Sequence, residues 1–136
     1  MQYIHLTPAT EPPDVSALSP FKVVVIIEDI VTRERRDGIS RWLVESGCLY
    51  VMARGHDSDS WQDSIQAANA TAFDVDEIPD DQLIIATSHG DEPLDDVFWF
   101  SKYTAMHPCR ALETVLLLDL TTEGRQREMC AAYDAA

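Results

Sequence analysis

Residues 82–96 read QLIIATSHGDEPLDD, and the fold depends on how this stretch is parsed. Leu83, Ile84, Ile85 and Ala86 form a charge-free apolar run, the pattern of a strand buried on both faces. Thr87, Ser88, His89 and Gly90 then break it with small polar residues and a glycine that permits a sharp turn. Asp91 and Glu92 follow, and Pro93 stands where a first helical residue tolerates a missing N–H. A buried strand ending this way delivers a serine, a histidine and two carboxylates to the carboxyl end of a sheet. That end is where open α/β sheets bind ligands.

Three further runs share this strand character: FKVVVII at 21–27, CLYVMA at 48–53 and TVLLL at 114–118. Helical patterns separate them. Over 32–46, Thr32 can cap a helix whose inner face is Ile39, Trp42 and Leu43. Arg33, Arg35, Arg36 and Arg41 point outward, and Gly47 is a fitting stop. Ser60 with Asp63 resembles a capping box, and Trp61, Ile65, Ala68 and Ala72 fall on one helical face behind it. Leu94, Val97, Phe98 and Ala105 favour a helix over 94–106, although VFWF at 97–100 also suits a short strand. A terminal helix over 123–136 turns Met129, Ala132, Tyr133 and Ala136 inward.

Strands alternating with helices imply βαβ units and a parallel sheet, and right-handed crossovers then place helices on both faces. The expected fold is an α/β three-layer sandwich with a four-stranded, mainly parallel sheet, its strands ordered 2-1-3-4 by their place in the chain. Residues 1–20, with Pro8, Pro12, Pro13 and Pro20, read as an irregular leader or a short edge strand near Tyr3. Residues 21–136 read as a single α/β domain.

Composition narrows the function classes. A chain of 136 residues with 46% hydrophobic content can build one core. No apolar run approaches the roughly 20 residues that span a bilayer, and the first residues lack a basic-then-apolar signal pattern, so a cytoplasmic protein is expected. Cys48, Cys109 and Cys130 are scattered and form no C-x-x-C pair, which suits reduced, mostly buried thiols. The 24 acids against 10 bases give a net charge of −14. Between Arg54 and Lys102 there is no Lys or Arg, while that interval holds Asp57, Asp59, Asp63, Asp74, Asp76, Glu77, Asp80, Asp81, Asp91, Glu92, Asp95 and Asp96. Such a field repels nucleic acid and attracts a basic protein, or it serves only solubility.

All four strand ends carry polar groups: Glu28 and Asp29; Arg54, His56 and Asp57; Ser88, His89 and Asp91; and Asp119, Thr121 and Thr122. An imidazole among hydroxyls and carboxylates suits acid–base chemistry, which makes His89, Asp91, Asp119 and Thr121 the catalytic candidates. Strand ends are also polar simply because they meet water. The five glycines form no GxGxxG or Walker loop, and His56, Asp57 and Asp59 match no established cation loop. No cofactor and no metal are expected.

The segment LIIATSHGDE is similar to the histidine strand of caspases and their relatives, and the order of elements from Phe21 to Gly124 resembles their p20-type core. The specific part of the resemblance is Ser88, His89 and Gly90. It implies a histidine general base with a cysteine nucleophile at the end of the next strand. Here that position reads Leu120-Thr121, and no cysteine is near. An internal threonine is a weak nucleophile, so the resemblance implies a related fold without peptidase chemistry.

Two readings therefore stand. The first is a non-catalytic acidic binding protein of immunity-protein or antitoxin type, neutralising a basic partner such as a toxin or nuclease. Its surface would be Asp57, Asp59, Asp74, Asp76, Glu77, Asp80, Asp81, Asp91, Glu92, Asp95 and Asp96, with Trp61 or Trp99 as the aromatic anchor. The second is a small hydrolase-like or degenerate caspase-like enzyme using His89 with Asp91, Asp119 or Thr121.

Overall fold

The structure, a computed structural model, describes residues 1–73, 78–121 and 123–136. Among them the chain runs β1 (Gln2–His5), β2 (Phe21–Ile27), α1 (Arg33–Glu45), β3 (Cys48–Gly55), α2 (Ser58–Ala72), β4 (Ile85–Gly90), α3 (Leu94–Tyr103), β5 (Thr114–Asp119) and α4 (Gln126–Ala135). Single 3-10 turns at Ser16–Leu18 and Asp80–Gln82 precede β2 and β4.

All five strands are parallel, in the order β1-β5-β2-β3-β4. The sheet thus has a fifth strand beyond the four expected, since Gln2–His5 pairs with β5 from Gln2 opposite Leu116 to His5 opposite Asp119. The expected order is also corrected. β4 does not lie beside β2; it sits outside β3 as an edge. Burial explains the choice. β5 is buried along all but its first residue and belongs in the interior, whereas β4 is only partly buried and carries Thr87, Ser88 and His89. A near-continuous apolar run belongs between neighbours, and a polar strand belongs at a rim.

The parsing of residues 82–96 changes for the same reason. Leu83 is exposed, and the strand begins at Ile85 and runs through Thr87, Ser88, His89 and Gly90. What read as a break is a half-buried strand whose side chains alternate between faces. Pro93 is the N-cap of α3, one residue before the helix.

Two helices cover each face. Val23, Val25 and Ile27 of β2 pack with Ile39 and Leu43 of α1 and with Trp61 and Ile65 of α2. Val24 and Ile26 pack with Val97 and Phe98 of α3 and with Met129 and Tyr133 of α4. Thr32 caps α1 by accepting from the Arg35 N–H at 3.2 Å. The Ser60–Asp63 capping box is not used: α2 starts at Ser58, behind Asp57 in a left-handed conformation (φ 56°). Gly55 ends β3 at φ 117°, so close to β2 that a Cβ there would fall 1.8 Å from the Ile27 carbonyl oxygen.

Lys22, buried within β2, donates from Nζ to the carbonyls of Ser101 and Ala105, closing the carboxyl end of α3. Burial holds its pKa below the ordinary lysine value. Of the cysteines only Cys48 is buried, its thiol pushed up to about 12 by desolvation; Cys109 is exposed and Cys130 half-buried, so the expectation of mostly buried thiols is corrected. No helix among the described residues is long and apolar enough to cross a membrane.

Candidate functional site

Because every strand is parallel, all five carboxyl ends face one edge of the sheet, and their polar residues gather into two clusters. The first lies over β1, β5 and β2. Asp119 is fully buried at the end of β5 and accepts from the Tyr3 hydroxyl at 2.6 Å, from the Thr121 hydroxyl at 2.7 Å and from the Thr121 N–H at 3.1 Å. Arg125 brings a guanidinium to it at 3.6 Å and reaches Glu28 at 3.0 Å, while its backbone N–H donates to the Tyr3 hydroxyl at 2.8 Å. His5 meets the Thr121 carbonyl at 2.6 Å.

Burial alone would raise the Asp119 pKa. The hydrogen bonds from Tyr3 and Thr121 and the charge of Arg125 outweigh it and hold the carboxyl below its ordinary value. Tyr3 moves the other way, pushed up to about 12 by burial and by its bond to Asp119. Both carboxylate oxygens are thus occupied, and Asp119 and Thr121 serve each other. They form a clasp joining the first strand, the last strand and the start of α4.

The second cluster lies over β3 and β4. His89 is buried, its ring edge-on to Phe100 at 4.7 Å between centroids. Its Nδ1 meets Glu92 Oε2 at 3.0 Å and its Nε2 meets Thr87 Oγ1 at 2.7 Å. A carboxylate only accepts, so the neutral ring donates from Nδ1 to Glu92 and accepts at Nε2 from the Thr87 hydroxyl. Ser88 points to the opposite face of β4, where its hydroxyl donates to Asp59 Oδ1 at 2.6 Å and lies 2.7 Å from Ser58 Oγ. Ser58 Oγ also accepts from the Gly90 N–H at 3.1 Å, which ties the start of α2 to the end of β4.

This geometry sorts the catalytic candidates. His89 and Ser88 cannot act together, because successive strand residues face opposite sides of the sheet. His89 cannot use Asp119 or Thr121 either: β5 and β4 are separated by β2 and β3, about 14 Å at the usual strand spacing. The caspase-like resemblance brought His89 and the Leu120-Thr121 position to one site, and they occupy different clusters. Asp91 is exposed beside the imidazole's loop, but the carboxylate on the ring is that of Glu92. Thr87 was missed because its tetrapeptide reads as a turn. Tyr3 was missed because it lies 116 positions from Asp119, and Arg125, although close in the chain, because it belongs to no motif.

Among the described residues, the acids of this interval on either side of β4 lie at opposite ends of the strand. Asp57, Asp59, Asp91, Glu92, Asp95 and Asp96 are exposed around the carboxyl ends of β3 and β4 and the first turn of α3. Asp80 and Asp81, also exposed, precede β4 at its other end, about 20 Å away along a six-residue strand. Asp74, Asp76 and Glu77 lie outside the described residues, as does Thr122. Trp61 is corrected as an anchor, being 1% exposed inside the core. Trp99 is 54% exposed on α3, its ring tilted against Tyr103 at 5.3 Å between centroids. Tyr103 and, past the end of α3, Met106 are exposed as well. For Tyr103, the available signal was its i+4 spacing from Trp99.

Residues 1–136 match the family model described as Domain of unknown function (DUF7684). No curated protein and no solved structure matches.

Proposed function

The chain belongs to the DUF7684 family over residues 1–136, and we propose that it is a non-catalytic binding protein that docks a basic protein partner through the outer face of α3. One observation carries this reading: Trp99 and Tyr103, in ring contact and exposed, follow the carboxylates of Glu92, Asp95 and Asp96 along α3 and the loop before it. Aromatic anchors beside a single-sign charged rim are the chemistry of a protein interface, the aromatics supplying most of the affinity and the charge the approach. Asp57, Asp59 and Asp91 widen the rim. A partner that is itself toxic when free, such as a basic nuclease, fits a chain of net charge −14, and the role is then that of an immunity protein or antitoxin.

The test is affinity capture from the native host, with Trp99→Ala and a variant carrying Asp91→Asn, Glu92→Gln, Asp95→Asn and Asp96→Asn as controls. A basic protein held by the wild type and lost from both variants supports the reading. The same proteins retained on all three baits would sink it.

A second reading is favoured by the chain Thr87–His89–Glu92, which has the hydroxyl–imidazole–carboxylate connectivity that activates a nucleophile. It describes a small hydrolase drawing on His89. Covalent labelling of Thr87 by a fluorophosphonate, lost in His89→Ala, would establish it over the first.

A further inference from the structure

The strand order defines a place where connections leave in opposite directions. β2 leads to α1 on one face, and its neighbour β5 leads to α4 on the other. A crevice opens outside the strand ends at such a point, and ligands of open α/β sheets bind there. A cavity of about 370 Å³ occupies it here, in the size range of small-molecule pockets. It is separate from α3, and nothing above depends on it.

Its wall is mostly apolar: Leu6 and Pro8 after β1, Ile30 and Val31 after β2, Ile39 of α1 and Leu120 after β5. Ile30 is 81% exposed at its edge. One basic side chain belongs to the wall, Arg35. Its Nη2 donates to the carbonyls of Thr7 and Thr10, which fixes the guanidinium against the residues that follow β1. The N–H groups on Nε and Nη1 remain, in a side chain that stays charged at any working pH. Among the described residues, Asp29 also belongs to the wall.

We propose that this cavity binds a small monoanion with an apolar body, its acidic head on Arg35 and its chain against Leu6, Ile30, Val31 and Leu120. An immobilised guanidinium is suited to a carboxylate because little side-chain freedom is lost when the bond forms. Burying a second carboxylate against this apolar wall would cost its hydration, which restricts the class to monocarboxylates and similar ions.

Hexanoate is the probe, titrated into the full chain while the methyl resonances are followed by NMR, with hexanol and adipate as its neutral and dianionic counterparts. Saturation is expected at roughly millimolar concentration, the range open to so small a ligand. Shifts should centre on Leu6, Ile30, Val31, Ile39 and Leu120, and adipate should bind at least tenfold more weakly. Arg35→Met should weaken hexanoate about tenfold and leave hexanol unchanged. Because that variant also releases Thr7 and Thr10, Ile30→Glu provides a second arm: at an exposed position it should abolish hexanoate binding without lowering Tm. Absence of saturable shifts, equal binding of adipate, or binding that survives Ile30→Glu would overturn the proposal.

Discussion

The two halves of the carboxyl edge use similar residues to opposite effect. Over β1, β5 and β2, an acid, two hydroxyls and an arginine are turned inward, and Asp119 has no surface left to offer. Over β3 and β4, the acids ring a buried histidine and face outward, with Trp99 and Tyr103 exposed beside them. The difference lies in coverage. Both halves end on an edge strand, β1 or β4, but the start of α4 closes over the first through Arg125, while the acids of the second stay exposed. A buried carboxylate holds a fold together only while its partners remain, whereas an exposed one is free to act on another molecule.

Breaking the clasp should have the largest effect. Asp119→Asn removes the buried charge facing Arg125 and turns one of the two accepting oxygens, shared between Tyr3 and Thr121, into a donor, and a loss of about 3–5 kcal/mol is expected in urea unfolding. Neutralising Asp91, Glu92, Asp95 and Asp96 together should stay near 0.5 kcal/mol or below per site. Equal losses would erase the contrast between the halves.

Trp99→Ala comes next, on affinity. About 2–4 kcal/mol of partner binding should vanish, the scale of an interface hot spot, while Tm moves little because the ring is exposed. A loss of stability without a loss of affinity would assign Trp99 to packing. The acid variants should slow association and flatten its salt dependence while leaving dissociation nearly unchanged.

The pH profile sharpens the comparison further. Asp119 has its folded pKa below the unfolded value, so the unfolded state binds more protons as pH falls through the carboxylate range. Its stabilisation is present above the unfolded pKa and lost on acidification, a slope that Asp119→Asn should remove. Tyr3 is the mirror case. With a folded pKa of about 12 against 10.0 unfolded, its contribution is present below pH 10 and lost between 10 and 12, and Tyr3→Phe should flatten that alkaline limb. The smallest effect belongs to Glu92→Gln: an exposed carboxylate on a buried imidazole should change stability by about 0.5 kcal/mol or less in thermal melts.

Much of the fold was legible wherever an apolar run was uninterrupted. Phe21–Ile27 is a strand residue for residue, and Thr114–Asp119 extends the expected one by a single position. The stretch at 82–96 was misparsed because an edge strand keeps one polar face, and Thr87-Ser88-His89 then looks like a turn. Strand order was hidden for a related reason: local patterns do not say which strand will lack a neighbour. His89 stood out by its residue type. Its hydroxyl partner required knowing that position 87 lies in the same strand, and the clasp on Asp119 required pairing residues that no spacing rule connects.

The pairing of β1 with β5 also sets a clock. Tyr3 and Asp119 are 116 positions apart, and no hairpin anywhere in the sheet offers a local start. On the ribosome, residues 2–5 are made before residues 114–119 and wait for that strand, on the order of ten seconds at ordinary elongation rates. Until then β5's place beside β2 is vacant, and the apolar edge of β2 stands open to other chains. A parallel sheet closed by its first and last strands should therefore fold slowly for its size and be most prone to aggregation while nascent.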